Sequence, residues 1–382
     1  LLRRFIVEKA VSVYQRRLKE RKGSSLFRVR KVRSSDVQWK LNFSTNDYLG
    51  LSQHRHIRQA FKQAVDIWGV GSTGSPLLSG YSSAHQELEE LLTDWLGKPR
   101  ALLFNSGFAA NHGVLTTLVD KQQKVFADKL VHASIIDGMQ HSEAQFKRYP
   151  HNQPLPVVDK ANAGDWLVTE GVFSMDGDAC DLKLMASLKQ QFDIKVMLDD
   201  AHGLGAYGSE GRGSTSSGSD TVDVLTGTFG KALGVGGAFV CAKDDEIESL
   251  IQFCRDYIYS TAMPPAQAAA IKSSIEIVRS AEGDERREQL AHRIQYFREQ
   301  MKQRNLKIID SNTAIQTWLF DSDTEALAMS KQLQTNGYLC SVIRPPTVPV
   351  GTSRIRFSLT SNMPQVALES FWQVVDRIRD NL

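Results

Sequence analysis

The sequence predicts an α/β protein: a mostly parallel central sheet with helices on both faces, followed by a smaller C-terminal α+β domain. Three observations carry that reading. Between about residues 100 and 245, short runs of consecutive apolar residues alternate with helix-like segments, the pattern of strands buried on both faces. Beyond about residue 262 the texture changes to long segments of helical periodicity that feed a few further strands. A chain of 382 residues also exceeds what one ordinary core organises.

Taken in order, the first 21 residues, L-L-R-R-F-I-V-E-K-A-V-S-V-Y-Q-R-R-L-K-E-R, are basic and amphipathic. Glu8 and Glu20 argue against a transit peptide and the apolar run is too short for a signal peptide, so an N-terminal helix is expected. A-L-L-F is followed by the helical F-A-A-N-H-G-V-L-T-T-L-V, K-V-F-A-D by S-I-I-D-G-M-Q, and D-W-L-V-T-E by L-K-L-M-A-S-L-K-Q-Q-F. I-K-V-M-L-D, V-D-V-L-T and A-F-V-C-A complete the sheet, and S-T-S-S-G-S at 214–219 reads as a surface loop. Two helices then lead to L-K-I-I-D and A-I-Q-T-W-L-F as strands, a helix near 324–336, R-I-R-F-S-L and a final amphipathic helix. The expected division is an N-terminal helix and arm over 1–48, a large domain over 49–283 and a small domain over 284–382.

Composition narrows the function class. Apolar residues at 41% and charged residues at 23% are ordinary for a globular chain. A net charge of +3 without a Lys/Arg tract does not imply nucleic-acid binding, though it suits an acidic acyl carrier or coenzyme A. The four cysteines, Cys180, Cys241, Cys254 and Cys340, have no metal-like spacing, so reduced thiols and a cytoplasmic setting are expected. No run approaches the roughly 18 apolar residues of a membrane helix.

The chemistry begins at Lys231. It closes V-D-V-L-T-G-T-F-G-K, a glycine-flanked turn behind an apolar strand, where burial would lower its pKa. Asp199 ends K-V-M-L-D, and His202 follows three residues later. An amine, an acid and an imidazole at neighbouring strand mouths suit pyridoxal phosphate (PLP): the lysine forms a Schiff base, and the carboxylate keeps the pyridine nitrogen protonated. Asp199 could instead join Asp200 at a metal, but no further ligands lie at suitable spacing. N-S-G-F-A-A-N places Gly107 and Phe108 at a strand-to-helix turn whose free N–H groups fit a phosphate. His132 follows another strand and could stack on a ring or simply cap a helix, while Glu170 and Ser174 would border the same crevice. Gly203–Gly208 spells G-x-G-x-x-G, but S-E-G-R-G-S behind it cannot open the helix a dinucleotide fingerprint needs.

Together these motifs resemble the α-oxoamine synthases, PLP enzymes of fold type I, nearly end to end. The stretches N-F-S-T-N-D-Y-L-G-L-S, S-G-Y-S-S-A-H-Q-E-L-E, N-S-G-F-A-A-N, T-E-G-V-F-S-M-D-G-D, D-D-A-H-G, T-F-G-K, Y-S-T-A-M-P-P-A-Q and I-R-P-P-T-V-P-V-G-T-S-R-I-R carry the likeness. The resemblance implies a homodimeric acyltransferase that joins an amino acid to an acyl thioester with loss of carbon dioxide. The stretches T-E-G-V-F-S-M-D-G-D and I-R-P-P-T-V-P lean toward L-alanine and a pimeloyl thioester, on acyl carrier protein or coenzyme A, over the glycine-using branches. It assigns Lys231 as cofactor lysine and general base, Asp199 to the ring nitrogen, His202 to the phenolic oxygen and His132 to the ring face and substrate. Gly107, Phe108, Ser174 and Thr228 would contact the cofactor, and Ser260 and Thr261 would reach the phosphate of a second subunit. Arg344 would grip the amino-acid carboxylate beside Asn46, with Thr347 also on substrate. An N-terminal arginine, read as Arg21 with Lys19 and Arg17 as rivals, completes the set. A same-fold aminotransferase and a non-catalytic PLP regulator are the alternatives, the latter lacking any helix-turn-helix segment in the sequence.

Overall fold

The computed structural model describes residues 2–23, 27–30, 32 and 39–380. Two compact units result, Leu1–Trp39 and Lys40–Leu382. In the first, the expected helix forms as α1 (Leu2–Gly23), with Arg21 and Lys22 in its last turn, where cations offset the exposed carbonyls.

The second unit opens with β1 (Leu41–Asn42), α2 (Arg55–Trp68) and α3 (Ser83–Leu96). There follow β2 (Arg100–Phe104), α4 (Gly107–Leu118), β3 (Lys124–Asp128), α5 (Ala133–His141), β4 (Gln145–Tyr149), α6 (Leu155–Val158), β5 (Trp166–Glu170), α7 (Leu182–Phe192) and β6 (Lys195–Asp199). Next come β7 (Val224–Thr228), β8 (Ala238–Ala242), α8 (Asp244–Phe253), α9 (Arg255–Ile258), α10 (Pro265–Val278) and α11 (Ala281–Gln303). The chain ends with β9 (Ile315–Leu319), α12 (Asp323–Thr335), β10 (Tyr338–Leu339), β11 (Ser341–Ile343), β12 (Arg354–Ser358) and α13 (Gln365–Arg379).

Seven strands form the large sheet in the order β2-β8-β7-β6-β5-β3-β4. Only β8 runs against its neighbours; the β3–β4, β3–β5, β5–β6 and β6–β7 ladders are parallel. The doubly apolar runs follow from this. Leu167, Leu198, Leu225 and Phe239 pack on one face, against α3, α7 and α10. Their neighbours Trp166, Met197, Val224 and Val240 pack on the other, against α4, α5 and α8. Successive side chains point to opposite faces, so a strand covered on both sides must be apolar throughout.

The smaller sheet, β11-β12-β9, is antiparallel. An aromatic cluster backs it, with Phe43 edge-on to Phe357 at 5.2 Å and Phe297 at 4.7 Å from Trp372. Phe43 is thus core: its N–H donates to Leu339 O and its carbonyl accepts from Ser358 N, at 2.8 and 2.9 Å. That stitching explains why compactness begins at Lys40, inside the arm expected over 1–48. The expected division between residues 283 and 284 falls within the continuous helix α11.

Two of the differences from the sequence reading have a clear physical cause. L-K-I-I-D makes only an isolated bridge, Ile308 to Trp318, because the Ile309 N–H is taken by the Thr317 hydroxyl at 3.3 Å. Conversely, Gln145–Tyr149 is a strand that no apolar run announces, since it lies at the sheet edge with four of its five side chains exposed. Among the described residues, no helix is long and apolar enough to cross a membrane.

Candidate active site

The parallel strands end together, and the residues after them converge there. Glu170 closes β5 and is in register with Asp199, which closes β6. Thr228 closes β7 three residues before Lys231, and His132 caps the helix after β3.

Lys231 forms no hydrogen bond or ion pair among the described residues. Burial lowers its pKa to about 8, although Asp199 and Glu170 pull the other way. Glu170 is itself 2% exposed, and its Oε1 has no partner. Burial, with Asp199 adding repulsion, holds its carboxyl well above the usual range.

Asp199 is fixed from two sides: Oδ2 accepts from Asn111 Nδ2 at 2.6 Å and Oδ1 from Ala201 N at 2.9 Å. Asn111, on α4, also accepts from Thr226 Oγ1 at 2.7 Å and donates to Ser134 Oγ at 3.0 Å. Ser134 Oγ in turn lies 2.8 Å from His132 Nδ1. A buried polar chain therefore ties the acid to the imidazole, and its members fix one another's orientation. His132 keeps much of its surface exposed, and partial burial lowers its pKa, which favours the neutral form.

His202 is buried, with Nδ1 2.6 Å from the Tyr48 hydroxyl. Burial, with Lys231 and Arg356 nearby, pushes its pKa well below the usual imidazole range. The same burial lifts Tyr48 to about 12. Asp200 turns away from Asp199: Ser214 donates to it through N at 2.8 Å and Oγ at 2.6 Å, so the serine-rich segment is partly a buried clamp. The residues after Gly203 form turns and short 3-10 segments, Ser209–Gly211, Gly213–Ser217 and Ser219–Thr221, rather than the α-helix a dinucleotide fingerprint needs.

At the mouth of β2, Ser106 caps α4 by accepting from Ala109 N at 3.2 Å, leaving the N–H groups of Gly107 and Phe108 at the helix start. A Cβ on Gly107 would sit 3.9 Å from Thr228 Cβ, so this helix start and the β7 mouth adjoin. Thr228 Oγ1 donates to Gly237 O at 2.9 Å and accepts from Gly230 N at 3.2 Å, which holds the turn before Lys231. Ser260 and Thr261 line a small recess with Asn105, which donates to Thr261 O at 2.6 Å. Leu78 and Tyr259 stand 87% and 72% exposed.

The arginine beside Asn46 is a correction. Asn46 Oδ1 accepts from Arg356 Nη2 at 3.2 Å, not from Arg344, whose guanidinium has no partner among the described residues. Arg356 is 9% exposed and also donates to Ser174 O through Nε at 2.7 Å and to Ser358 Oγ through Nη1 at 2.9 Å. The signal lay in R-I-R: positions 354 and 356 share one strand face. Both are buried, and Asp176 pairs only with Arg354. Asn111 and Tyr48 are the other site residues to which no role had been given, whereas Glu170 had been expected only to border the crevice. Thr347 and Ser174 line a cleft with His132. Arg21, Lys19 and Arg17 lie on the exposed stretch of α1, in the other unit.

Residues 39–375 match the class I and II aminotransferase family. The chain belongs to that family. An 8-amino-7-oxononanoate synthase of Klebsiella pneumoniae subsp. pneumoniae is 45% identical over 357 residues, 92% of this chain and 91% of that protein. Among solved structures, the 8-amino-7-oxononanoate synthase of Francisella tularensis matches with a TM-score of 0.76 and 31% identity, over 91% of this chain and all of that one. A serine palmitoyltransferase of S. paucimobilis, solved with PLP–myriocin bound, matches with a TM-score of 0.87 and 26% identity over 96% of each chain. The likeness to α-oxoamine synthases read from the motifs is borne out, and so is fold type I. This aminotransferase-family member is a PLP-dependent enzyme, and its residues fit the cofactor: a buried unpaired amine, a doubly held carboxylate and a helix start with free N–H groups.

Proposed function

We propose that the enzyme condenses L-alanine with a pimeloyl thioester, on acyl carrier protein or coenzyme A, releasing carbon dioxide and 8-amino-7-oxononanoate for biotin synthesis. The observation that carries the chemistry is the unpaired amine of Lys231 beside the clamped carboxylate of Asp199. The relatives' shared name carries the choice of substrates. Higher fold likeness to serine palmitoyltransferase does not compete with it, because fold alone does not set chemistry.

PLP, when bound, supplies an aldehyde for the amino acid and a ring that accepts the electron pair left at Cα. Lys231 anchors the cofactor and then takes and returns the Cα proton. A pKa of about 8 leaves part of the amine neutral near pH 7, as a general base requires. Asn111 and Ala201 hold both oxygens of Asp199, which would keep its carboxylate oriented toward the ring nitrogen. His202, held through Nδ1 by Tyr48, has Nε2 free for the phenolic oxygen. His132 would cover the ring face and hydrogen-bond developing oxygens on the acyl group. The N–H groups of Gly107 and Phe108, with Ser174 and Thr228, would seat the cofactor, and Ser260 and Thr261 would serve the phosphate of a second subunit.

We assign carboxylate capture to Arg356. A guanidinium has five N–H bonds; three are spent on Ser174, Ser358 and Asn46. The two left are one on each terminal nitrogen, which a carboxylate can take as a pair. Arg356→Ala should raise the alanine KM by about tenfold to a hundredfold, the worth of a charge-assisted pair, and Arg344→Ala should change it little. Steady-state titration with alanine checks this, and the reverse pattern would return the role to Arg344.

The reading is tested by supplying PLP-loaded enzyme with L-alanine, glycine or L-serine and with pimeloyl, acetyl, succinyl or palmitoyl thioesters. Amino ketone and carbon dioxide should form fastest from alanine and the pimeloyl thioester. Preference for glycine with a short acyl group, or serine with palmitoyl, would overturn it.

A further inference from the structure

We infer that Lys129 and Arg148 form an anion subsite at the rim of the cleft containing His132, and that it receives an oxyanion of the acyl thioester. This rests on the proposed acyl-transfer reading. The oxyanion is either the carboxylate at the far end of the acyl chain or a phosphate of the carrier.

The cleft has a volume of about 570 Å³, within the usual range for small-molecule sites. His132, Ser174 and Thr347 line it together with apolar residues, Val131, Ile136 and Phe173 among them. Three charged side chains line it: Lys129, Arg148 and Asp176. Asp176 is neutralised by the buried guanidinium of Arg354. Neither Lys129 nor Arg148 has an ion-pair partner among the described residues, so the cleft keeps two uncompensated positive charges.

The fold brings Arg148 to the backbone of Lys129. Lys129 directly follows β3, and its N–H donates to Tyr149 O at 3.0 Å, extending the pairing with β4. Arg148 lies on β4 and donates through Nη2 to the Lys129 carbonyl. The fork is thereby steadied with its remaining donors uncommitted, which favours planar oxyanion recognition. Edge strands often carry charge merely to block pairing with other chains. That accounts for Lys147, which as the neighbour of Arg148 points to the opposite sheet face and does not line the cleft. It does not account for two cations lining one largely apolar cleft that also holds His132.

The test uses full-length, PLP-loaded enzyme with saturating L-alanine and three co-substrates: pimeloyl-coenzyme A, heptanoyl-coenzyme A and pimeloyl-N-acetylcysteamine. Lys129→Gln, Arg148→Gln and the double variant are compared with Lys147→Gln. For pimeloyl-coenzyme A, each cleft variant should raise KM about tenfold, the loss of one charge-assisted contact, with kcat within about twofold of the parent. Arg148→Lys should recover part of the loss, and Lys147→Gln should match the parent. If the distal carboxylate is the ligand, the penalty persists with pimeloyl-N-acetylcysteamine and vanishes with heptanoyl-coenzyme A. If a carrier phosphate is the ligand, the pattern reverses. An active parent whose cleft variants keep its KM for every thioester overturns the subsite alone, as does an equal effect from Lys147→Gln or a uniform fall in kcat. A parent that turns over none of the three overturns the substrate reading and the subsite with it.

Discussion

Lys231→Ala should lose at least about 10³-fold in turnover, since the same amine anchors the cofactor and carries the Cα proton. Its absorbance band for cofactor-bound lysine should vanish as well, and a folded variant retaining both would remove Lys231 from the mechanism. Stability should move the other way. The folded-state pKa, about 8, lies below the value of 10.5 for a free lysine, so the unfolded chain binds more protons between those two pH values. Burying the ammonium therefore destabilises the cofactor-free protein fully below about pH 8, and the penalty fades as pH rises toward 10.5. Lys231→Met, which removes the charge and keeps the length, should raise the Tm of the cofactor-free protein at pH 7. The gain should shrink at pH 10, and scanning calorimetry at the two values checks it.

Asp199→Asn should cost about 10²- to 10³-fold in kcat, the scale of losing one preorganised electrostatic partner. Charge is lost, and an amide NH₂ is forced to face either Asn111 Nδ2 or the Ala201 N–H, both of which now donate to the carboxylate. Cofactor should still attach, because Lys231 and the helix start are untouched. Retained binding with slow removal of the Cα proton, read as exchange of the alanine Cα hydrogen into deuterated solvent, is the expected signature. Unchanged exchange would show that this carboxylate does not set the ring's electron demand.

Local chemistry was legible in the sequence wherever a residue's role depends on the strand end it occupies. Lys231, Asp199, His202 and His132 each follow an apolar run, and parallel pairing brings such ends together. Contacts made by long-range packing were not legible. Arg344 and Arg356 are both arginines near a proline-rich turn, and only the pairing of β12 with β9 and β11 buries the second one against Asn46. Tyr48 gives no sign in sequence that it holds His202, 154 positions away. Asn111 stood in a recognised motif, but its place between Asp199, Ser134 and Thr226 needs three elements assembled. The edge strand β4 escaped notice for a different reason: half-exposed strands carry no apolar run.

The central claim is that one buried amine, at residue 231, holds the cofactor. Borohydride reduction of the PLP-loaded enzyme, followed by proteolysis and mass spectrometry, tests it most directly. The pyridoxyl label should fall on Lys231 alone, and the Lys231→Ala protein should carry none. A label on any other lysine, or undiminished labelling of the alanine variant, would contradict the account.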